Sequence, residues 1–120
     1  MSTTLTGKWG EALAAEYLRK NGYQIVAANY HSRFGELDLV AKKKKILAFI
    51  EVKLRKNDQY GAAREFVTPA KREKLRMTAA LFLQEYDAKT LQPRFDVIEI
   101  YAPHGISQQY TLNHMENAFE

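Results

Sequence analysis

The sequence GELDLV at positions 35–40, followed after four lysines by ILAFIEVK at positions 46–53, decides the fold. Both segments are apolar enough to form buried strands, and the polar turn between them is short, which predicts an antiparallel hairpin. We therefore expect a strand over Glu36–Ala41, a turn over Lys42–Lys45 and a strand over Ile46–Arg55. Core strands seldom carry several acids and a lysine, so these charges need a physical reason.

The chain before the hairpin predicts a helix and a strand. Apolar residues at helical spacing indicate a helix over residues 6–21, which ends at Asn21-Gly22 because glycine suits a left-handed C-terminal cap. Tyr23–Tyr30 is rich in strand formers. Glu11 lies at the border of the apolar face of the helix, so it can turn toward the sheet.

The chain after the hairpin predicts a loop over Lys56–Gly61 and then a second helix, with Thr68 as its N-cap and an end near Tyr86. A fourth strand is expected over Arg94–Tyr101. The tail from Ser107 is expected to form an edge strand plus one helical turn. The order α-β-β-β-α-β predicts the α/β class, with one mixed β-sheet flanked by helices.

Composition limits the classes of protein that this chain can belong to. Its 120 residues fit a single domain over 1–120 with a real core. The absence of cysteine excludes disulfides and thiolate metal sites. No signal peptide or membrane span is recognisable, and we expect a cytoplasmic protein. The net charge of +4, with an isoelectric point near 9.3, is compatible with a polyanionic partner.

The acids of the hairpin fall where they can meet. Side chains alternate along a strand, so Glu36 and Asp38 share a face, as do Glu51 and Lys53 on the next strand. Pairing around the lysine turn brings Asp38 near Glu51 or Lys53, depending on the turn. Two buried carboxylates repel unless a cation compensates, and a divalent ion such as Mg²⁺ neutralises both.

Two plainer readings of these charges stay open. Glu-x-Lys is a common spacing, and most such pairs are cross-strand ion pairs facing solvent. Asp87-Ala88-Lys89 has the same form in a polar loop without any strand around it. A structural ion-pair network is therefore an alternative to a metal site.

The chain resembles the YraN-like family (UPF0102) of the PD-(D/E)xK nuclease superfamily. The matching residues run in order along nearly the whole chain. They are Gly10-Glu11-Ala12, Tyr17-Leu18, Gly22-Tyr23, Asn29-Tyr30, Arg33, Gly35–Val40, Phe49–Lys53, Arg55, Gly61, Lys71 and Arg94–Val97. One departure is His31, which stands where the family usually has arginine.

The resemblance implies a restriction-endonuclease-like fold and a Mg²⁺ or Mn²⁺ site. Asp38 matches the superfamily's metal-binding aspartate, and Glu51 and Lys53 match its (D/E)xK pair, with the backbone carbonyl of Val52 as a further metal ligand. Glu11 resembles the helix-borne glutamate that completes the site in archaeal-type Holliday-junction resolvases. Glu36 is an accessory candidate whose role the sequence leaves open.

Basic residues around the acids are candidates for contacts with DNA, since phosphate contacts add salt-dependent affinity. Arg33, Arg55 and Lys71 match the family, and Lys74 shares a helical face with Lys71. The lysine turn is more simply a solvated turn.

Other polar residues are expected to have structural roles. Asp96 is expected to pair within the core, with Arg94 or with a helix residue. His31, His104 and His114 show no metal spacing and are expected at the surface, with His31 closest to the site.

The sequence thus supports a metal-dependent endonuclease that hydrolyses DNA phosphodiester bonds, with branched or processed DNA among the candidate substrates. A homodimer is one expected assembly, because nucleases that cut two strands often pair. The alternative is a non-catalytic nucleic-acid-binding module that retains the fold. Substrate form, sequence preference and the number of metals stay open.

Overall fold

The computed structural model describes residues 5–56 and 67–119, with side chains from Gly7 onward. Within these residues it has two helices and five strands, in the order α-β-β-β-α-β-β. They are α1 (Leu5–Lys20), β1 (Gln24–His31), β2 (Glu36–Lys43), β3 (Ile46–Arg55), α2 (Pro69–Glu85), β4 (Gln92–Tyr101) and β5 (Thr111–Phe119). The predicted class, a mixed sheet flanked by helices, is confirmed.

The strands form one sheet in the order β1-β2-β3-β4-β5. All neighbours are antiparallel except β3 and β4, which are parallel. A parallel pair needs a long crossover connection, and α2 lies in that connection. The parallel register sets Arg55 beside Tyr101.

Apolar side chains cover both faces of the sheet, because alternate residues of β3 point in opposite directions. Leu47 and Phe49 pack with α2, whereas Ala48 and Ile50 pack with α1. The α2 side also buries Leu37, Val40, Leu75, Ala79, Phe82 and Val97, and the α1 side buries Ala14, Leu18, Leu39, Ala41, Ile98 and Ile100. The two helices therefore lie on opposite faces of the sheet.

The predicted end of the first helix is confirmed. Gly22 has φ +88°, a left-handed conformation that residues with a Cβ rarely adopt. The Gly22 amide donates to the Arg19 carbonyl at 3.1 Å, and the Tyr23 amide donates to the Leu18 carbonyl at 2.9 Å. These two hydrogen bonds satisfy two carbonyls of the last turn and direct the chain into β1.

The turn between β2 and β3 is shorter than predicted. Lys42 and Lys43 belong to β2 and pair with Leu47 and Ile46, so the turn itself contains only Lys44 and Lys45. The Lys43 ammonium lies 5.3 Å from the centre of the Tyr23 ring. A lysine can stay in a strand when its ammonium lies over an aromatic ring, which residue type alone does not reveal.

The prediction of a helical turn in the tail is wrong. The edge strand is present, but β5 continues through Phe119, and no helical turn occurs in the described part of the tail. Phe119 stacks on Phe95 with ring centres 5.1 Å apart, which holds the last residues in strand pairing. The predicted loop at 56–61 lies, apart from Lys56, outside the described residues.

Thr68 caps α2 as predicted, and this gives a test of local stability. Its side-chain oxygen accepts from the Lys71 amide at 3.2 Å, and Pro69 follows in the first turn. Thr68→Ala should lower the free energy of unfolding by about 1 kcal/mol, measured by urea denaturation. The exposed Thr90→Ala should change it by less than about 0.5 kcal/mol, and equal effects of the two would contradict the capping role.

Neither helix, within the ranges given above, has the length and apolar character needed to cross a membrane.

Candidate metal centre

The pairing of β2 with β3 stops where the acids begin. The final assigned pair is Leu39 with Ile50, and the same register carried one residue further sets Asp38 opposite Glu51. Instead of a ladder bond, the Val52 amide donates to Asp38 Oδ2 at 2.8 Å. The amide and carbonyl of one strand residue point to the same side, so the Val52 carbonyl also faces the Asp38 side of β3. The two strands thus open around Asp38.

Three acids from α1 and β2 gather at this opening. Glu11, Glu36 and Asp38 each offer a carboxylate oxygen, and these oxygens lie within 4.8 Å of one another. Glu11 reaches the cluster from α1, as its border position predicted. Glu36, an accessory candidate in the sequence, stands beside the other two.

The turn before Glu36 is fixed to α2, which positions that carboxylate. Ser32 Oγ accepts from the amides of Phe34 and Gly35 at 3.0 and 3.2 Å. It also lies 3.0 Å from Thr78 Oγ1 on α2. The His31 Nδ1 atom lies 3.1 Å from Glu36 Oε2, so the departure from the family pattern places an imidazole next to the cluster.

Asp38 and Glu51 form a hydrogen-bonded pair whose pKa values are shifted in opposite directions. Burial, and then the hydrogen bond to Glu51, raises the pKa of Asp38 from 3.8 to about 8. Burial opposes ionisation of Glu51 as well, but the hydrogen bond from Asp38 and then Lys71 outweigh it and lower the Glu51 pKa. The protonated Asp38 therefore donates to an ionised Glu51, since two adjacent buried carboxylates avoid double ionisation.

Lys71 of α2 holds the other side of Glu51. Its Nζ lies 2.5 Å from Glu51 Oε2, and the side chain of Glu51 is only 7% exposed. This is an ionic contact without hydrogen-bond geometry, and among the described residues Oε2 accepts no well-directed hydrogen bond. The sequence expected a DNA contact at Lys71, and the structure adds that its ammonium contacts Glu51.

Lys53 lies in the same environment. Burial, and then the positive charge of Lys71, lowers the pKa of Lys53, although Glu51 acts in the opposite direction. A lysine with a lowered pKa gives up its proton more readily than one in water. Lys53 can therefore serve either as an ammonium or as a base.

The donor set fits a divalent metal ion. Carboxylate and carbonyl oxygens are the ligands that Mg²⁺ and Mn²⁺ prefer, and Asp38, Glu51 and the Val52 carbonyl supply them on adjoining strands. Asp38 keeps a proton because it lies against Glu51, and a divalent ion between the two carboxylates would take the place of that proton. Glu11 and Glu36 lie next to Asp38 and can supply further oxygen ligands to the same metal ion.

The two predicted arginines have different surroundings. Arg33 is exposed in the turn before β2, with its guanidinium 4.8 Å from the centre of the Phe34 ring. Arg55 pairs with Glu99 of β4, and its side chain is only 13% exposed. This placement favours a structural role for Arg55 and leaves Arg33 available to a ligand.

A groove of about 280 Å³ adjoins the acids between the β1–β2 turn and the start of α2. It is lined by Gly35, Glu36, Thr68, Ala70, Lys71, Lys74 and Leu75. Two lysines and a hydroxyl therefore face the same space as Glu36. A phosphate chain lying in this groove would pass directly beside the acidic site.

A second buried polar cluster lies on β4 and β5. Asp96 is fully buried, and Arg94 donates to its two oxygens from Nε and a terminal nitrogen, each at 2.8 Å. His114 Nε2 lies 2.8 Å from Asp96 Oδ2, and the Asn117 amide donates to Oδ1 at 3.0 Å. The expected pairing of Asp96 with Arg94 within the core is confirmed.

The expectation that His114 is a surface residue is wrong. Its side chain is 5% exposed, and its Nδ1 lies 3.1 Å from the Tyr17 hydroxyl. Sequence reasoning missed it because the long-range pairing of β5 with β4 decides its burial. Alternation in the tail, which sets Leu112 and His114 on one face, was the available signal.

The hydrogen-bonded pair predicts that Asp38→Asn stabilises the metal-free protein at high pH. The amide can accept from Val52 and donate to Glu51, as protonated Asp38 does. Because its folded-state pKa is raised, the contribution of Asp38 to wild-type stability falls as pH rises from about 4 to 8, whereas asparagine does not titrate. In EDTA, we expect a gain on the order of 2 kcal/mol at pH 8 and almost none at pH 5. A loss at pH 8, with exposed Asp87→Asn unchanged, would contradict this pairing.

These features define a class: a mixed α/β domain with a carboxylate cluster and lysines where two central strands diverge. The model of the family described as "Uncharacterised protein family UPF0102" matches residues 10–100. A UPF0102 protein of Syntrophomonas wolfei is 44% identical over 113 residues, covering 94% of this chain and 96% of the relative. One from Acinetobacter baumannii is 42% identical over 123 residues, covering 94% and 92%. One from Nocardia farcinica is 41% identical over 113 residues, covering 94% and 87%. The chain belongs to the UPF0102 family.

Proposed function

We propose that this protein is a divalent-metal-dependent endonuclease that hydrolyses DNA phosphodiester bonds. The observation that carries the proposal is the meeting of Asp38, Glu51 and Lys53 at the opening between β2 and β3. Family membership by itself names no activity. The likeness of these residues to the PD-(D/E)xK motif supplies the reaction class, and the geometry supports it.

The side chains divide the work of hydrolysis. A divalent ion held by Asp38, Glu51 and the Val52 carbonyl would supply positive charge for the phosphate and lower the pKa of a water ligand. Lys53, with its lowered pKa, can take a proton from the attacking water or meet the charge that develops on the phosphate. Glu11 and Glu36, which lie beside Asp38, would bind the metal ion or its water ligands from the side of α1 and β2.

The surroundings of the site support DNA as the substrate. The net charge of +4 attracts a polyanion, and Lys71, Lys74 and Arg33 lie around the groove or in the adjoining turn. Branched or processed DNA is our candidate form, because the likeness to Holliday-junction resolvases includes Glu11. Action as a homodimer belongs to the same proposal.

Purified protein incubated with linear, supercoiled and branched DNA tests the proposal. We expect cleavage of at least one form with Mg²⁺ or Mn²⁺, none with EDTA, and loss of cleavage in Asp38→Asn. A matched control is Asp87→Asn, which changes an exposed acid of the Asp87-Ala88-Lys89 stretch. Equal activity in wild type and Asp38→Asn would contradict the assignment.

A non-catalytic nucleic-acid-binding module is the second candidate function. The contact of Lys71 with Glu51 favours it, because an ammonium already neutralises one of the acids. This candidate predicts DNA binding that weakens steeply with salt but does not change with EDTA or with Asp38→Asn. Loss of binding in EDTA would exclude it.

A further inference from the structure

Lys71 lies between a buried acid and an open groove. Its Nζ is 2.5 Å from Glu51 Oε2, and its side chain is 42% exposed, against 7% for Glu51. The same side chain lines the 280 Å³ groove beside Glu36. The Lys71 side chain therefore contacts the acidic site on one side and the open groove on the other.

The ammonium of Lys71 competes with a metal ion for the same oxygen. A divalent cation bound to Glu51 would lie within a few ångströms of Lys71 Nζ, and two unscreened positive charges at such distances repel strongly. Lys53 lies close enough to Lys71 that each side chain shifts the pKa of the other. Repulsion therefore favours displacement of an ammonium when a divalent ion binds, and Lys71 is the side chain that already lines the groove.

We infer that Lys71 is a displaceable cation of the site. It neutralises Glu51 until a divalent ion binds, and it then turns into the groove, where it contacts a phosphate of the bound DNA. The inference rests on the proposed function, because it assigns the metal to Glu51 and the groove to DNA.

The lysine side chain allows this exchange. Its flexible stem and compact charge let the ammonium move several ångströms while α2 stays in place. In the N-cap hydrogen bond the backbone amide of Lys71 donates to the Thr68 side chain. The Lys71 ammonium takes no part in this bond, so its movement leaves the start of the helix intact. Lys74, one turn later, already lines the groove and would contact a neighbouring phosphate.

Titration of Mn²⁺ alone, followed by calorimetry, tests the exchange. Lys71→Gln removes the competing charge and should lower the Kd for Mn²⁺ by about tenfold, whereas Lys71→Arg should stay near wild type. Lys74→Gln is the matched control, since within the described residues Lys74 makes no ion pair with Glu51, and its Kd should stay within about twofold of wild type. Equal or weaker Mn²⁺ binding by Lys71→Gln would overturn the inference.

Thermal unfolding gives a second readout, which also covers a variant that is unstable without metal. Lys71→Gln removes the cation that contacts the buried Glu51, so its melting temperature in EDTA should fall below that of wild type. Saturating Mn²⁺ should then raise the melting temperature of Lys71→Gln more than that of wild type. A smaller rise than in wild type would contradict displacement. That result is expected if Lys71 only supports the structure, because its removal would then weaken the metal site.

Binding of a fluorescent DNA duplex, measured by anisotropy in a Lys53→Ala background, tests the second position of Lys71. Adding Lys71→Gln should weaken binding severalfold with Mn²⁺ and little in EDTA, whereas Lys74→Gln should weaken it equally in both. Equal losses for Lys71→Gln in both conditions would overturn the move into the groove.

The two levels of proposal fail in different ways. If wild type binds Mn²⁺ and cuts DNA while Lys71→Gln binds Mn²⁺ no tighter, only the role of Lys71 is overturned. If neither wild type nor the variants bind Mn²⁺, the proposed function fails, and the inference fails with it.

Discussion

Lys53→Ala should reduce Mn²⁺-dependent DNA cleavage by at least about a hundredfold, the size of effect typical for a proton-transferring group or a charge that stabilises the transition state. Lys53 lies two residues after Glu51 on β3, and burial with the nearby charge of Lys71 lowers its pKa. Initial rates of supercoiled-plasmid nicking measure the loss. The metal affinity of this variant should change far less than its rate, because Lys53 supplies no metal ligand.

The control for this experiment is contained in the same chain. Lys89→Ala alters a lysine of the same D-x-K form, in an exposed turn. The Lys89→Ala protein should cleave at the wild-type rate. A trace nuclease contaminant would instead give the same rate in every preparation, including Lys53→Ala. If Lys53→Ala, Lys89→Ala and wild type all give the same rate, the nuclease assignment is wrong. Loss of activity in both variants would indicate a general effect of charge on DNA binding.

Asp96→Ala should lower the free energy of unfolding by about 3–5 kcal/mol, because removal of one partner leaves a buried charge uncompensated. Asp96 accepts hydrogen bonds from Arg94, His114 and the Asn117 amide, and its own exposure is 0%. Urea denaturation at pH 7 measures the loss. Exposed Asp87→Ala should lose less than about 0.5 kcal/mol.

The same carboxylate predicts a pH dependence. Burial opposes its ionisation, but the hydrogen bonds from His114 and Arg94 outweigh burial and lower the Asp96 pKa below its ordinary value of 3.8. Its contribution is therefore fully present above about pH 4 and is lost as pH falls through the lower folded-state value. The stability difference between wild type and Asp96→Asn should shrink from pH 7 to pH 3. A difference that grows on acidification would contradict the arrangement.

The strands that carry the site follow from local sequence. The alternation in GELDLV and ILAFIEVK, with a short turn between them, was enough to set Asp38 near Glu51, one of the two expected pairings. The border position of Glu11 on its helix was enough to aim it at the sheet. These are short-range patterns, and the hydrophobic face of each element fixes them.

The features that the sequence did not predict depend on distant parts of the chain. Lys71 reaches Glu51 because the crossover between β3 and β4 starts α2 above that acid, which no local pattern specifies. His114 is buried because β5 pairs with β4 and Tyr17 packs from α1. Lys43 stays in β2 because Tyr23 lies beneath its ammonium. In each case a polar residue, which composition places at the surface, finds a partner far away in sequence.

Anomalous diffraction from a crystal soaked in Mn²⁺ tests the central claim most directly. We predict a peak between Asp38 and Glu51, about 2 Å from an oxygen of each, with the Val52 carbonyl as a third ligand and Lys71 withdrawn from Glu51. A well-diffracting soaked crystal without a peak there, in which Lys71 still contacts Glu51, would contradict the metal site and the proposed function that depends on it.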